Sequence, residues 1–403
     1  MGEAFEPMSI RPPVWTTRLK APGANAFAFM SGLEALSRAV ITAALPIQTQ
    51  ALFGNDESVS ALFFIGSIAA LSMALLIPRL TLAIGRSRMI VIGLLLLATA
   101  TGLFMLQMIP TQIFAFVCRA AGTSMFIAVL SMFIMDHVRR DQLGRSEPLR
   151  LLYIGLAWTI GPLAGVQMEE MWGAWAPFAA SAAAALMLLG YFIFLRFSNA
   201  PAIRAETRRA PVMPLAHLGR YFAQPRLVLA WLHAVGRGFF WGTFIVYTPL
   251  YCVETGLGAR AGGALVGVGS AFMLAMPLWG WCARRFGIRA VSLISFPIAA
   301  IGTLVAGLLT AAPWIAAGFL MLATLAMSVI DGYGNVLFLR ACKPSERTAM
   351  TPIFSAQRDI AEIGHAAVFA VLLSFFPIQV VFLTASVVLA GLTGLAFRIN
   401  ARL

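Results

Sequence analysis

Apolar residues in this chain come in blocks of about twenty or more, separated by short segments rich in glycine, proline and charge. A block of that length is what a helix needs to cross a hydrocarbon core about 30 Å thick. Only helices or closed barrels can cross, because every backbone polar group must be paired internally. The blocks are too long and too continuously apolar for barrel strands. The pattern predicts an all-α membrane protein of twelve transmembrane helices. The expected spans are 24–52, 58–81, 88–109, 111–136, 149–168 and 173–197, then 226–253, 260–283, 288–310, 313–338, 349–373 and 377–398.

The connecting segments alternate in charge. One set holds Arg79, Arg86 and Arg88; Arg139, Arg140, Arg145 and Arg150; Arg196, Arg204, Arg208, Arg209, Arg220 and Arg226; Arg284, Arg285 and Arg289; and Arg340, Lys343 and Arg347. The opposite set holds Asn55, Asp56 and Glu57, then Glu169 and Glu170, with Arg260 as its one basic residue. The excess of positive charge marks the cytoplasmic side, so both termini are expected there. The organisation expected is a cytoplasmic tail at 1–23, a six-helix bundle at 24–197, a cytoplasmic linker at 198–225, a second bundle at 226–398 and a tail at 399–403. The first apolar block is too long for a cleavable leader and lacks a small-residue cleavage site, so it reads as an uncleaved helix. The location expected is a bacterial inner (plasma) membrane, with the chain multi-pass and monomeric.

Composition agrees with this pattern. Of 403 residues, 60% are hydrophobic and 11% charged, and the mean hydropathy is +0.86. A soluble domain of this size could not hide so much apolar surface. The net charge of +13 sits in the short loops, where topology accounts for it and a nucleic-acid partner is not needed. Cys118, Cys252, Cys282 and Cys342 are widely spaced, with no CxxC pair and no histidine at metal spacing. They read as small packing residues, and no metal or cofactor is expected. There is no GxxxxGK[ST] loop for ATP, and no convincing nucleophile–base constellation, so the chain does not read as an enzyme.

The two halves repeat. Leu33-Glu34-Ala35-Leu36-Ser37-Arg38 matches Leu232-His233-Ala234-Val235-Gly236-Arg237, 199 residues on. Ser146-Glu147 and Ser345-Glu346 recur at the same offset, and Gly85 and Gly287 close similar loops 202 residues apart.

At this point the chain resembles the major facilitator superfamily over nearly its whole length. That family pairs two six-helix bundles around a central cavity. Its loop motif Gly-x-x-x-Asp-Arg-x-Gly-Arg-Arg is matched by Gly85, Arg86 and Arg88, with Leu82 in the aspartate position. The second copy has Gly280, Arg285, Gly287 and Arg289, with Arg284 in that position. Arg119 with Gly122 loosely resembles the family's membrane-embedded arginine motif. Gly155, Gly161-Pro162 and Gly165 resemble its antiporter motif, which implies efflux, closest to the drug or metabolite:proton antiporters. Glycines there permit close helix approach and proline bends the helix.

Ionisable groups inside membrane helices cost about 2.5–3.5 kcal/mol each on insertion scales, so each needs a partner or a wet cavity. Glu34 and Arg38 share one face of the first helix, as do His233 and Arg237 on the seventh. Arg119 and Asp331 lie in the fourth and tenth. Arg358, Asp359, Glu362 and His365 crowd the eleventh, with Arg358, Glu362 and His365 on one stripe. These ten residues are the expected substrate and proton pathway. Glu34, Asp359 and Glu362 suit proton coupling, since a poorly solvated carboxylate binds protons more readily and a nearby arginine opposes this. Phe239, Phe240 and Trp241 are candidate cavity-lining aromatics. The function read from the sequence is a secondary carrier that moves a small, anionic or zwitterionic solute with protons as coupling ion. Lipids are its other partners. Uptake or lipid flipping by the same fold, or a sensor without transport, are the alternatives.

Overall fold

The computed structural model describes residues 24–137, 140–195, 217–343 and 346–399. The tail at 1–23, most of the linker including Arg208, and the Ser146-Glu147 side chains lie outside what is described.

The chain is all-α. Its first half comprises α1 (Ala24–Ala39), α2 (Ala44–Phe53), α3 (Asp56–Ile84), α4 (Arg86–Met105), α5 (Ile109–His137), α6 (Arg140–Trp172) and α7 (Ala176–Phe194). After a short α8 (Leu218–Phe222) come α9 (Pro225–Glu254), α10 (Ala259–Ala271), a 3-10 turn at Phe272–Ala275, α11 (Met276–Phe286) and α12 (Ile288–Leu308). The rest are α13 (Pro313–Asp331), α14 (Val336–Ala341), α15 (Arg347–Ser355), α16 (Gln357–Leu372) and α17 (Gln379–Ala396).

Local chemistry sets the ends of these helices. Gly54 closes α2 with φ 80°, a left-handed conformation that costs glycine little. Asn55 then caps α3, its side chain accepting from the Ser58 amide at 2.8 Å, and Asp56 and Glu57 complement the positive end of that helix. Gly85 and Gly287 both turn the chain with φ 85°, as their repeat in the sequence predicts. Proline opens α7, α9, α11 and α13, where its missing N–H has no partner to lose.

Ten helical stretches are long and apolar enough to span a bilayer among the described residues. The expected spans at 226–253 and 349–373 are helical but fall outside that set. The second divides at Ala356 into α15 and α16 and carries four ionisable residues, while the first, α9, holds His233 and Arg237. Three other expected spans are interrupted. The first turns between α1 and α2, the eighth has the 3-10 turn, and the tenth breaks at Gly332–Asn335. Large apolar side chains such as Leu75, Phe114, Ile193, Ile294 and Val387 are exposed on the outside. In water this would be costly; toward lipid it is the expected surface.

Packing holds each half together and joins the two. Within the first half α4 lies along α5 and α1 along α6; within the second, α12 lies along α13 and α17. Across the halves α10 packs on α6, α16 on α3 and α9 on α2. The second half has one large aromatic core that includes Phe240, Phe244, Tyr247, Tyr251 and Phe382. The first half has two clusters, one around Phe126 and Phe133, the other around Phe104, Phe116 and Phe178.

Candidate functional site

The central charges come from α1, α5 and α16. Arg38 sits in the last turn of α1, whose carbonyl end favours a cation. It clamps Glu34 with two bonds, Nε to Oε1 at 2.6 Å and Nη2 to Oε2 at 3.1 Å. Its guanidinium also lies over the Trp158 ring of α6, 5.6 Å from the centroid. Opposite, Asp359 occupies the first turn of α16, the end that favours an anion. Arg358 donates from Nε to Glu362 Oε1 at 3.2 Å. The two pairs sense each other across the halves: Glu34, Asp359 and Glu362 are the carboxylates that act on Arg358.

Arg119 completes the group. Its charged neighbours are Arg38 and Glu362. Its guanidinium lies 5.7 Å from the Phe116 ring and 6.0 Å from that of Phe63, contacts that offset part of the cost of a cation away from bulk water. Its buried Nε has no hydrogen-bond partner. Gly122, one turn on, lets α5 approach α4, since a Cβ there would lie 2.6 Å from the Gly93 carbonyl oxygen.

His365 departs from the polar stripe expected of α16. It is buried among Phe239, Tyr247 and Phe369, with ring centroids 6.3–6.4 Å away. Gly242 of α9 leaves room for its ring, and its Nδ1 has no partner. The stripe turns away because α16 packs this part of its surface on α9 rather than toward the opposite half. Tyr247 in turn bonds Ser60 of α3 at 2.7 Å, across the halves.

A second charged group lies within the second half. Arg237 pairs with Asp331 at 3.0 Å, and Trp241 Nε1 donates to the other carboxylate oxygen at 2.8 Å. Asp331 is therefore a partner of Arg237. A small pocket between α9, α13 and α14 is lined by His233, Arg237, Tyr333 and Gly334. His233 stacks edge-on to Phe296 at 4.8 Å, and neither ring nitrogen has a partner. Phe239, Phe240 and Trp241 are buried in the core of this half. The repeat thus gives Arg38 and Arg237 equivalent positions but different partners, one on its own helix and one on α13.

The glycines of α6 face two ways. A Cβ on Gly161 would lie 2.6 Å from Ala39 Cβ, and one on Gly165 would overlap the Val40 carbonyl. From the other half, Gly263 of α10 approaches the Pro162 carbonyl and Gly267 that of Thr159, a Cβ on either lying 2.9 Å and 2.5 Å away. Gly155 faces Leu274 of the 3-10 turn. So α6 is wedged between α1 and α10. In the repeated loop motif, Gly280 abuts Gly332 at the break in the tenth span, while Gly85 and Gly287 make the turns. Arg86 and Arg285 stand beside those turns.

Several polar contacts at and beside the seam between the halves escaped the sequence. Gln50 of α2 reaches Asp56 at 2.7 Å and Glu254 at 2.9 Å, and Arg260 pairs with Glu170. The repeat held a signal for the first: 254 − 56 = 198, close to the repeat offset, so both acids fall near the same loop of their halves. The neutral Gln50 gave none.

Two bundles of membrane helices with charged residues along their seam define an integral multi-pass membrane protein of the secondary transporter class. The model of the Major Facilitator Superfamily matches residues 27–364, and the chain belongs to that family. Among solved structures it is similar to a peptide transporter POT in complex with sulfate, at TM-score 0.73 and 13% identity over 94% of each chain. It is also similar to the nucleoside transporter NupG, at TM-score 0.72 and 13% identity over 94% of this chain and 99% of that one. No curated protein matches the sequence.

Proposed function

We propose that the protein is a proton-coupled carrier that exports a small anionic or zwitterionic solute by alternating access. Twelve helical passes and two bundles, 24–197 and 226–398, form the moving parts in the inner membrane. The observation that carries this reading is the pair of ion pairs, Glu34–Arg38 and Arg358–Glu362, set on opposite halves within electrostatic reach of each other. Rocking the halves changes the field and the water around both carboxylates, so proton affinity and conformation are linked. Arg119, with no ion pair among the described residues and an unsatisfied Nε, suits an anionic group of the solute. Asp359, His233 and His365 are secondary members of the pathway.

Export is supported by α6, whose glycine-proline face resembles an antiporter motif and packs on both halves. The test is flux in proteoliposomes under an imposed pH gradient. Accumulation of solute on the side of higher proton concentration supports exchange for protons; co-movement with protons supports the symport alternative.

A further inference from the structure

Among the described residues, the seam between the halves at the acidic end holds two carboxyl groups with no cation between them. Gln50 Nε2 has two N–H donors and spends one on Asp56 Oδ1 at 2.7 Å and one on Glu254 Oε1 at 2.9 Å. It thereby gathers an acid of the first half and an acid of the second onto one amide. Glu254 is the last residue of α9, beyond the apolar stretch of 226–253, and reaches water.

Charge at this end is nearly all negative. Asp56 and Glu57 come from α3, Glu169 and Glu170 from α6, Glu254 from α9, and Arg260 from α10. The neighbouring turns at 105–111, 172–177, 308–313 and 372–379, and all of α2, bring no titratable group. The single base, Arg260, is already paired with Glu170. Two ionised carboxylates on one amide repel each other, and among the described residues no unpaired cation is left at this end to offset this.

We propose that Glu254 and Asp56 share one proton drawn from the extracytoplasmic water, and that this proton seals the two halves at that end. The proposal rests on the alternating-access reading. The proton adds to a carboxylate oxygen as an O–H that bonds the other carboxylate; on opening it returns to water. Partial desolvation at the seam, for a residue that is otherwise exposed, and next the Asp56 carboxyl, push Glu254 up to about 8, with the Gln50 bond opposing. A group whose proton affinity is raised in the closed form stabilises that form at low pH, and the effect is lost as pH rises through the raised value. The closed-to-open ratio should therefore fall severalfold as the pH rises from about 6 to about 8.

The test is a distance measurement by paired spin labels at Ala51→Cys and Val253→Cys. The full chain is used in nanodiscs, with Cys118, Cys252, Cys282 and Cys342 changed to alanine. The short-distance population should shrink as pH rises, and Glu254→Gln, neutral at every pH, should keep it large throughout. Glu170→Gln should leave the pH response in place. Should Glu254→Gln fail to give monodisperse protein, Asp56→Asn makes the same test. A pH response that survives Glu254→Gln or Asp56→Asn, or distances that do not move with pH, would overturn the seal. Because no solute is involved, that result leaves the carrier reading to stand or fall on flux alone.

Discussion

Gly165 of α6 meets the Val40 carbonyl so closely that a Cβ on the glycine would overlap that oxygen. The contact lies where α1 gives way to α2, at the turn that carries Arg38 just before it. A helix-to-helix approach this tight is available only to glycine. It ties the motif on α6 to the placement of the Glu34–Arg38 pair.

Gly165→Ala should accordingly cost stability and transport together. Overpacking at such a contact costs about 1–3 kcal/mol, and Gly161→Leu should cost at least as much. Gly190→Ala, with nothing within 4 Å of its new Cβ, should be neutral or mildly stabilising. Melting temperature and flux on the three variants decide; an unchanged Gly165→Ala would remove the glycine contact from the account.

Asp331→Ala should leave Arg237 buried without its carboxylate and Trp241 without its acceptor. Breaking one side of a buried pair costs about 3–5 kcal/mol. Arg237→Leu combined with Asp331→Leu should recover much of that loss. A thermal double-mutant cycle measures it, and additive losses would refute the pairing.

Glu362→Gln or Glu34→Gln should abolish gradient-driven accumulation while exchange without a gradient persists. Both glutamines remove a titrating carboxylate and keep its hydrogen-bonding shape. If driven flux stays intact in both, the two ion pairs are structural and protons are not coupled through them.

The charge asymmetry of the loops predicts the topology. Cysteines introduced as Asp56→Cys, Glu170→Cys and Arg260→Cys should react with an impermeant reagent from outside. Those introduced as Arg140→Cys, Arg208→Cys and Arg347→Cys should be protected. External labelling at position 208 would contradict the arrangement.

Much of this protein is written in local pattern. Hydrophobic length yields ten of the twelve expected spans among the described residues, because a membrane leaves the backbone no other way to pair its polar groups. Loop arginines suggest the sides, and Gly85 and Gly287 mark turns that the backbone makes with positive φ. The Glu34–Arg38 and Arg358–Glu362 pairs were legible too, since residues four apart on a helix share a face.

Tertiary packing decided the rest. Nothing in the spacing of α16 separates Glu362, which meets Arg358, from His365, which α9 buries among aromatic rings. Arg38 and Arg237 occupy matching positions in the repeat, yet Asp331 reaches only the second, from a helix ninety-four residues further along the chain (331 − 237 = 94). Gln50 carries no charge to mark it in the sequence, and it meets Glu254 only because the two halves close on each other. Periodicity fixes which residues of one helix share a face; which helix lies against that face depends on contacts between segments distant in sequence, and those exist only in the folded chain.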